Sequence, residues 1–465
     1  MVALSDRKIE IVRTLVEAAP DKIVGGLHEA LAQTGGADTG LADVRRLVEA
    51  EARDRVLRNA IFEPVAPLFV GDGSDRRSLV FPARALPCIW RGLKVVAPTE
   101  VAAAAEVSNG VLSALRSGRS PPDPSDAFDD LIEAAAESLR SGVQRDFRNA
   151  IELCERARPG LAEVLAACLD ISPVLRRVLP RLPDWIDHSG EDNGAAARLA
   201  YKDAVAIAED AGPWFFEMLA GHLTPPWMVL RVISAIMDKP TERYLADSEL
   251  GGFPERLMGD IDEALQAIAT LDLEGGASAG RAVARKVTVV TQQVFELETC
   301  IELTRAHGWG ERIVGQKKSL AGLVEARLRD ADKLSHAALP MQTSGFSRLR
   351  KAAPKLDAAP DPKISGRAIT LLTFAHEIRL CANYGGFSAT HAKVTEKIGD
   401  MLDRYAEDVL DRVRTGDVPD LGIAHGFLNV AADLTALVRD EKTSELLRRR
   451  ASMTCLADTP NAREA

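Results

Sequence analysis

From Val394 to Val409 the apolar residues Val394, Ile398, Met401, Leu402, Tyr405 and Val409 recur mostly three or four positions apart. That spacing puts them on one face of a helix, where 3.6 residues complete a turn; a strand would alternate apolar and polar positions. The same period returns in Ile9, Val12, Leu15 and Val16, in Val44, Leu47 and Val48, and in Phe128, Leu131, Ile132, Ala135, Leu139, Val143, Phe147, Ile151 and Cys154. Aromatic residues make up only 5% of the chain, and Ala/Leu/Glu/Arg-rich runs favour helix over the β-branched and aromatic content of sheets. The expected fold class is all-α, a multi-helix array of antiparallel helix pairs or bundles. One small irregular or hairpin element is expected near residues 61–98, where five prolines and a Gly-Asp-Gly turn interrupt the pattern, with the hairpin around 71–78.

Proline and glycine place the boundaries. Residues 1–116 read as an N-terminal helical domain in which Ser5 caps the first helix, Asp21 opens a second and a third begins near Leu41. The stretch "SGRSPPDPSD" (117–126) reads as a linker, because its three prolines stop a helix from passing through. A central helical domain spans 127–272, opening with one long helix from Phe128 to Cys154 in spite of Gly142; prolines 159, 173, 180 and 183 then cut the chain into shorter helices, followed by a loop at 187–194. Residues 278–454 read as a C-terminal helical domain with runs over 281–306 and 313–338, an extended basic connection at 340–366, and helices from Ile364 onward.

Composition limits the function classes. At 465 residues the chain exceeds what one core normally organises. A net charge of -10 opposes a whole-chain role in coating nucleic acid, because phosphates repel an acidic surface. Six scattered cysteines without a C-x-x-C pattern suit a reducing, cytoplasmic compartment. The opening "MVALSDRKIE" turns charged before an apolar stretch can form, so no secretory signal is expected. The most apolar window, 214–237, carries Glu217, His222, Arg231 and a Pro-Pro break, and reads as two core helices rather than a transmembrane segment.

Three places share one layout, a helix end followed by glycine and then an aromatic ring: "EDAGPWFFEM" (209–218), "TRAHGWGERI" (304–313) and "CANYGGFSAT" (381–390). In the last two, Phe295, Leu297, Ile301, Leu303, His307 and Gly308 fall opposite Leu372, Phe374, Ile378, Leu380, Tyr384 and Gly385, the alignment of a weak internal duplication. Glycine reaches the left-handed conformation that ends a helix, and an apolar residue beyond it packs back on the last turn. "ANYGGFSATH" (382–391) is therefore expected to be an interhelical corner, with Ser388 capping the next helix.

Chemistry has few footholds. Cys381, His376 and His391 lie close in sequence, but a thiol–imidazole pair needs an orienting group, and Glu377 sits on another helical face. "GWGERIVGQKKS" (308–319) keeps the glycine gap of a phosphate loop at Gly310 and Gly315, yet Gln316 stands where lysine belongs and no strand precedes it. In "DDLIE" (129–133), Asp129 and Glu133 are one turn apart as in magnesium-holding helices, but no second acidic cluster faces them; Asp126, Asp129 and Asp130 suit a first turn beside the helix dipole. Arg448, Arg449 and Arg450 read as cations complementing a helix C-terminus. No catalytic, cofactor-binding or metal-binding residue is assigned, and no cofactor is expected. The expected function is a soluble protein-interaction module (scaffold, adaptor or regulator) with a protein partner. The alternatives are an all-helical enzyme using dispersed Asp, Glu and His in a cavity, and peripheral attachment to membrane or nucleic acid through 340–366, where Arg348, Arg350, Lys351, Lys355 and Lys363 outnumber Asp357 and Asp361.

Overall fold

A computed structural model describes residues 6–33, 39–71, 78–118, 120, 123–187, 193–208, 210–304, 308–344 and 351–457. Helices dominate the described residues, and strands are confined to two short pairs, so the all-α class holds. Contacts divide the chain into two units: Met1–Pro240 with Ser248–Leu250, and Thr241–Asp247 with Gly251–Ala465.

In the first unit, helices Asp6–Ala18, Asp21–Gln33 and Thr39–Ile61 bury Val16, Val24 and Val48 together, with Val12, Leu31 and Val44 around them. Arg55 ties the first helix to the third, pairing with Glu51 at 2.7 Å while donating to the carbonyl of Val16 at 2.9 Å. Beyond them, Phe69–Val70 and Phe81–Pro82 pair in parallel, which is not the expected hairpin; its turn at 72–77 lies outside the described residues.

The apolar stripe from Phe128 to Cys154 belongs to two helices, not one. Ser125–Ser141 stops at Gly142, whose φ of 61° is left-handed, and Arg145–Ala157 starts anew under the side chain of Gln144, which accepts from the amides of Asp146 and Phe147. Both helices bury their apolar face, so the period survives the break, and only Val143, 79% exposed, betrays it. Pro173 errs the other way and sits inside helix Leu161–Val178 instead of ending it. A proline costs a helix interior about 3 kcal/mol, whereas Leu169, Ile171, Val174 and Leu175 around it are buried, each contributing about 1.5–3 kcal/mol.

The 214–237 window forms the two expected core helices, Ala211–Gly221 and Val229–Met237, with Phe215, Phe216, Val232 and Ile233 buried. Between them His222 lies with Nε2 3.2 Å from the carbonyl of Pro64. Burial lowers its pKa from the ordinary 6.5, outweighing that hydrogen bond and the charge of Glu63. The folded chain then binds fewer protons than the unfolded chain below that pH, so the contribution of His222 is complete above 6.5 and is lost as pH falls from 6.5 toward the folded value. Urea midpoints measured from about pH 7.5 to pH 5.5 are expected to fall less steeply in His222→Gln than in the parent. Equal slopes would contradict this.

In the second unit, consecutive helices form hairpins, as Lys317 reaching back to Glu298 at 2.8 Å illustrates. Alternate helices run parallel. Along Gly276–Cys300 and Pro362–Glu377 with its continuation Ile378–Cys381, the facing pairs ascend together: Gly280 with Thr370, Arg281 with Glu377, Thr288 with Cys381, and Phe295 with Tyr384 beyond it. Gly308–Ala338 and Ser388–Arg414 do the same, through Glu325 with Thr390 and Asp332 with Lys397. The result is two layers, Gly252–Ala269, Gly308–Ala338 and Ser388–Arg414 in one, and Gly276–Cys300, Pro362–Glu377 and Leu421–Val438 in the other. The two stretches aligned in sequence thus lie on neighbouring helices of one layer. Their burial agrees at Leu297 and Phe374 and at Ile301 and Ile378, but Phe295 is exposed where Leu372 is buried.

The stretch 340–366 is more ordered than a plain extended connection. Met341–Ser344 pairs antiparallel with Lys351–Pro354, and the last helix of the stretch begins at Pro362, where the Asp361 carboxylate accepts from the amides of Lys363 and Ile364. Arg348 and Arg350 lie outside the described residues. Among the described residues one helix is long and apolar enough to cross a membrane, Leu421–Val438 rather than the 214–237 window; it packs against Pro362–Glu377, Ser388–Arg414 and Glu441–Ala457.

Candidate functional site

The side chains closest to chemistry in the sequence are engaged in holding helices together. His376 Nδ1 lies 3.0 Å from the carbonyl of Leu437, His391 Nε2 lies 2.8 Å from that of Ala375, and the Cys381 thiol donates to Ile378 at 3.2 Å. Each meets a carbonyl, and the Cys381 sulfur also accepts from the Thr288 hydroxyl at 3.8 Å; none of the three is bonded to another. Burial pushes the Cys381 thiol up, away from the thiolate a nucleophile needs. Glu377 faces Arg281 at 3.6 Å. Among the described residues no three of His, Cys, Asp and Glu are gathered to hold a metal ion.

The carboxylates of 129–133 do not gather either. Asp129 pairs with Arg176 at 3.0 Å, and that guanidinium also donates to the carbonyls of Ala60 at 3.1 Å and Ile61 at 2.6 Å while lying over the Phe128 ring. Glu133, one turn on, is exposed. Arg448 and Arg450 correct the reading of 448–450 as a helix terminus. Glu441–Ala457 continues beyond them, and they reach Asp433 at 2.7 Å and Glu407 at 2.6 Å on neighbouring helices, while Arg449 faces Glu445.

At 308–319 the answer is sharper. The glycines begin helix Gly308–Ala338, and the backbone amides there are already occupied by Glu242. Its buried carboxylate accepts from the amides of Thr304 at 3.0 Å and Gly310 at 3.3 Å, and from that of Trp309. The place where a phosphate would rest is filled by the chain's own anion. Gln316, in the position of the missing lysine, is buried and donates to the carbonyl of Met258 at 2.9 Å and to Asp262 at 2.7 Å. The indole of Trp309 donates to Glu255, and Arg312 bridges Glu255 and Asp262 at 2.8 Å each. Sequence reasoning passed over Glu242; its only local signal is Thr241, which caps the short helix Glu242–Ala246.

The corner at 382–391 has its own geometry. Gly386 and Gly308 are left-handed, with φ of 74° and 66°, but Gly308 opens helix Gly308–Ala338 and Gly212, the glycine of the third place, lies inside helix Ala211–Gly221, so the three places do not share one layout. Gly385 serves differently, since a Cβ there would lie 2.1 Å from the ring of Phe387, which is buried under the turn. Ser388 does not cap the next helix. Phe387 occupies the cap position without a side-chain hydrogen bond.

Large apolar side chains nevertheless remain uncovered here. Leu380 is 86% exposed, Tyr384 65% and Phe295 40%, and the Phe295 and Tyr384 rings meet edge to face with centroids 5.2 Å apart. The first unit carries a second open surface, a groove of about 710 Å³ lined by Val24, His28, Arg53, Val56, Asn109 and Arg116 among others.

No family model, no curated protein and no solved structure matches this chain.

Proposed function

We propose that this chain is a helical protein-interaction module, a scaffold, adaptor or regulator working in a reducing, cytoplasmic setting. The observation that carries the reading is the division of labour among side chains. Carboxylates, imidazoles and guanidinia of the candidate motifs bind carbonyls, amides and each other across helices, while Phe295, Leu380 and Tyr384 in one unit, and Val56 beside the cationic groove of the other, stay in solvent. Clustered apolar surface of this kind marks interaction sites, and helical arrays offer grooves in which a partner helix can lie. Burial of Cys88, Cys154, Cys168, Cys300 and Cys381 as free thiols supports a reducing setting.

Purification of the tagged chain from its native cells under mild cross-linking is expected to bring down a protein in fixed stoichiometry. Elution as a single species with no such protein, or with a turned-over small molecule in its place, would remove the reading.

A further inference from the structure

We propose that the corner formed by Phe295, Leu380 and Tyr384 is the docking point for an acidic amphipathic helix of a partner protein, an inference that rests on the interaction-module reading. Three observations converge on it. The first is exposed apolar area at one place: Leu380, the most exposed large apolar side chain in the described residues, precedes Cys381, which touches Thr288, and Tyr384 lies edge-on to Phe295 seven residues further along the same helix as Thr288.

The second is charge. Arg285 occupies the exposed side of Gly276–Cys300 one turn before Thr288, and Arg379 stands next to Leu380. Neither of the two has an ion pair among the described residues, whereas nearby Arg281 is matched by Glu377 at 3.6 Å. An apolar patch with an unmatched cationic rim calls for a ligand with a leucine-type ridge flanked by carboxylates.

The third is rigidity. The turn is pinned beneath by Phe387 and by the Cys381 thiol on Ile378, and behind by His391 on Ala375, so the surface is formed before the ligand arrives. The occupant is a helix rather than a strand because neither strand pair lies at this corner, leaving no sheet edge to extend. A bilayer is the competing occupant, and the vesicle arm of the test separates it from a helix.

The test uses the full chain and a fluorescent peptide of about 18 residues, with leucines at i, i+3, i+4 and i+7 and glutamates on the flanks, read by anisotropy. The glutamate peptide is expected to bind, more weakly in high salt, and its lysine counterpart is not. Leu380→Asp and Tyr384→Ala, both at exposed positions and checked for unchanged thermal unfolding, are expected to weaken binding at least about tenfold, as is the double reversal Arg285→Glu with Arg379→Glu. Absence of glutamate-peptide binding, equal binding of the lysine peptide, or unchanged affinity in the variants would overturn the proposal. So would tight, variant-sensitive binding to phosphatidylcholine–phosphatidylserine vesicles in place of the peptide. A stoichiometric native partner that photo-cross-links at Val56 or Arg53 but not at position 384 would leave the module reading standing and remove this inference alone.

Discussion

Glu242→Ala is expected to destabilise the second unit by about 3–5 kcal/mol, the largest effect of any single exchange considered for this chain. The loss follows from counting donors. The amides of Thr304, Trp309 and Gly310 point at one buried carboxylate, and alanine leaves all three without that acceptor, those of Trp309 and Gly310 in a place water reaches poorly. Each unsatisfied buried donor costs about 1–3 kcal/mol, and the attraction between an anion and the helix N-terminus, about 0.3–2 kcal/mol, goes with them. Glu242→Gln should fall between the parent and alanine, since an amide oxygen still accepts but carries no charge. The measurement is amide hydrogen exchange at Trp309 and Gly310, which reports this helix start without assuming that the two units unfold together. Protection within a factor of about ten of the parent in the alanine variant, equivalent to about 1.4 kcal/mol, would refute the account.

Gly280→Ala is expected to cost about 2–3 kcal/mol by wedging two helices apart. A Cβ at Gly280 would sit 2.4 Å from the carbonyl oxygen of Thr370 and 3.2 Å from the amide nitrogen of Phe374. Both are backbone atoms, so no rotamer change relieves the overlap, and Gly276–Cys300 must move off Pro362–Glu377. The control is Gly366→Ala on the facing helix, where nothing lies within 4 Å of the new Cβ; it should stabilise by about 0.5–1 kcal/mol, the helix preference of alanine over glycine. Denaturant midpoints for the pair are expected to shift in opposite directions. A stabilising Gly280→Ala would mean that the helices are not in backbone contact.

Those two glycines show why the sequence could be read only so far. Both sit inside helices, and local propensity ranks alanine above glycine at either; the difference lies entirely in what a helix some ninety residues away brings to within van der Waals range. Gly142 and Pro173 make the same point in opposite senses. The stripe through Gly142 stays in phase because both helices it joins are buried on the same side, and Pro173 survives mid-helix because its neighbours are packed. Leu380, placed by its alignment with Leu303 among the apolar positions, is the most exposed large apolar residue at the corner, because the turn carries it past the edge of the layer.

The sequence by itself determined the helical class and the apolar faces, because these depend on residues within a few turns of one another, but several helix ends moved, as at Gly142, Pro173 and Ser388. From spacing it gave the expectation that the histidines and the thiol around 376–391 serve packing, and in the structure each lies against a backbone carbonyl. Tertiary structure alone decided which alternate helices run parallel, that Glu242 would fill the amide cradle at Gly308–Ala338, and which apolar side chains would be left in water. Periodicity says which face of a helix is buried; it carries no record of the partner that buries it, and long-range pairing is fixed by shape and charge that meet only when the layers assemble.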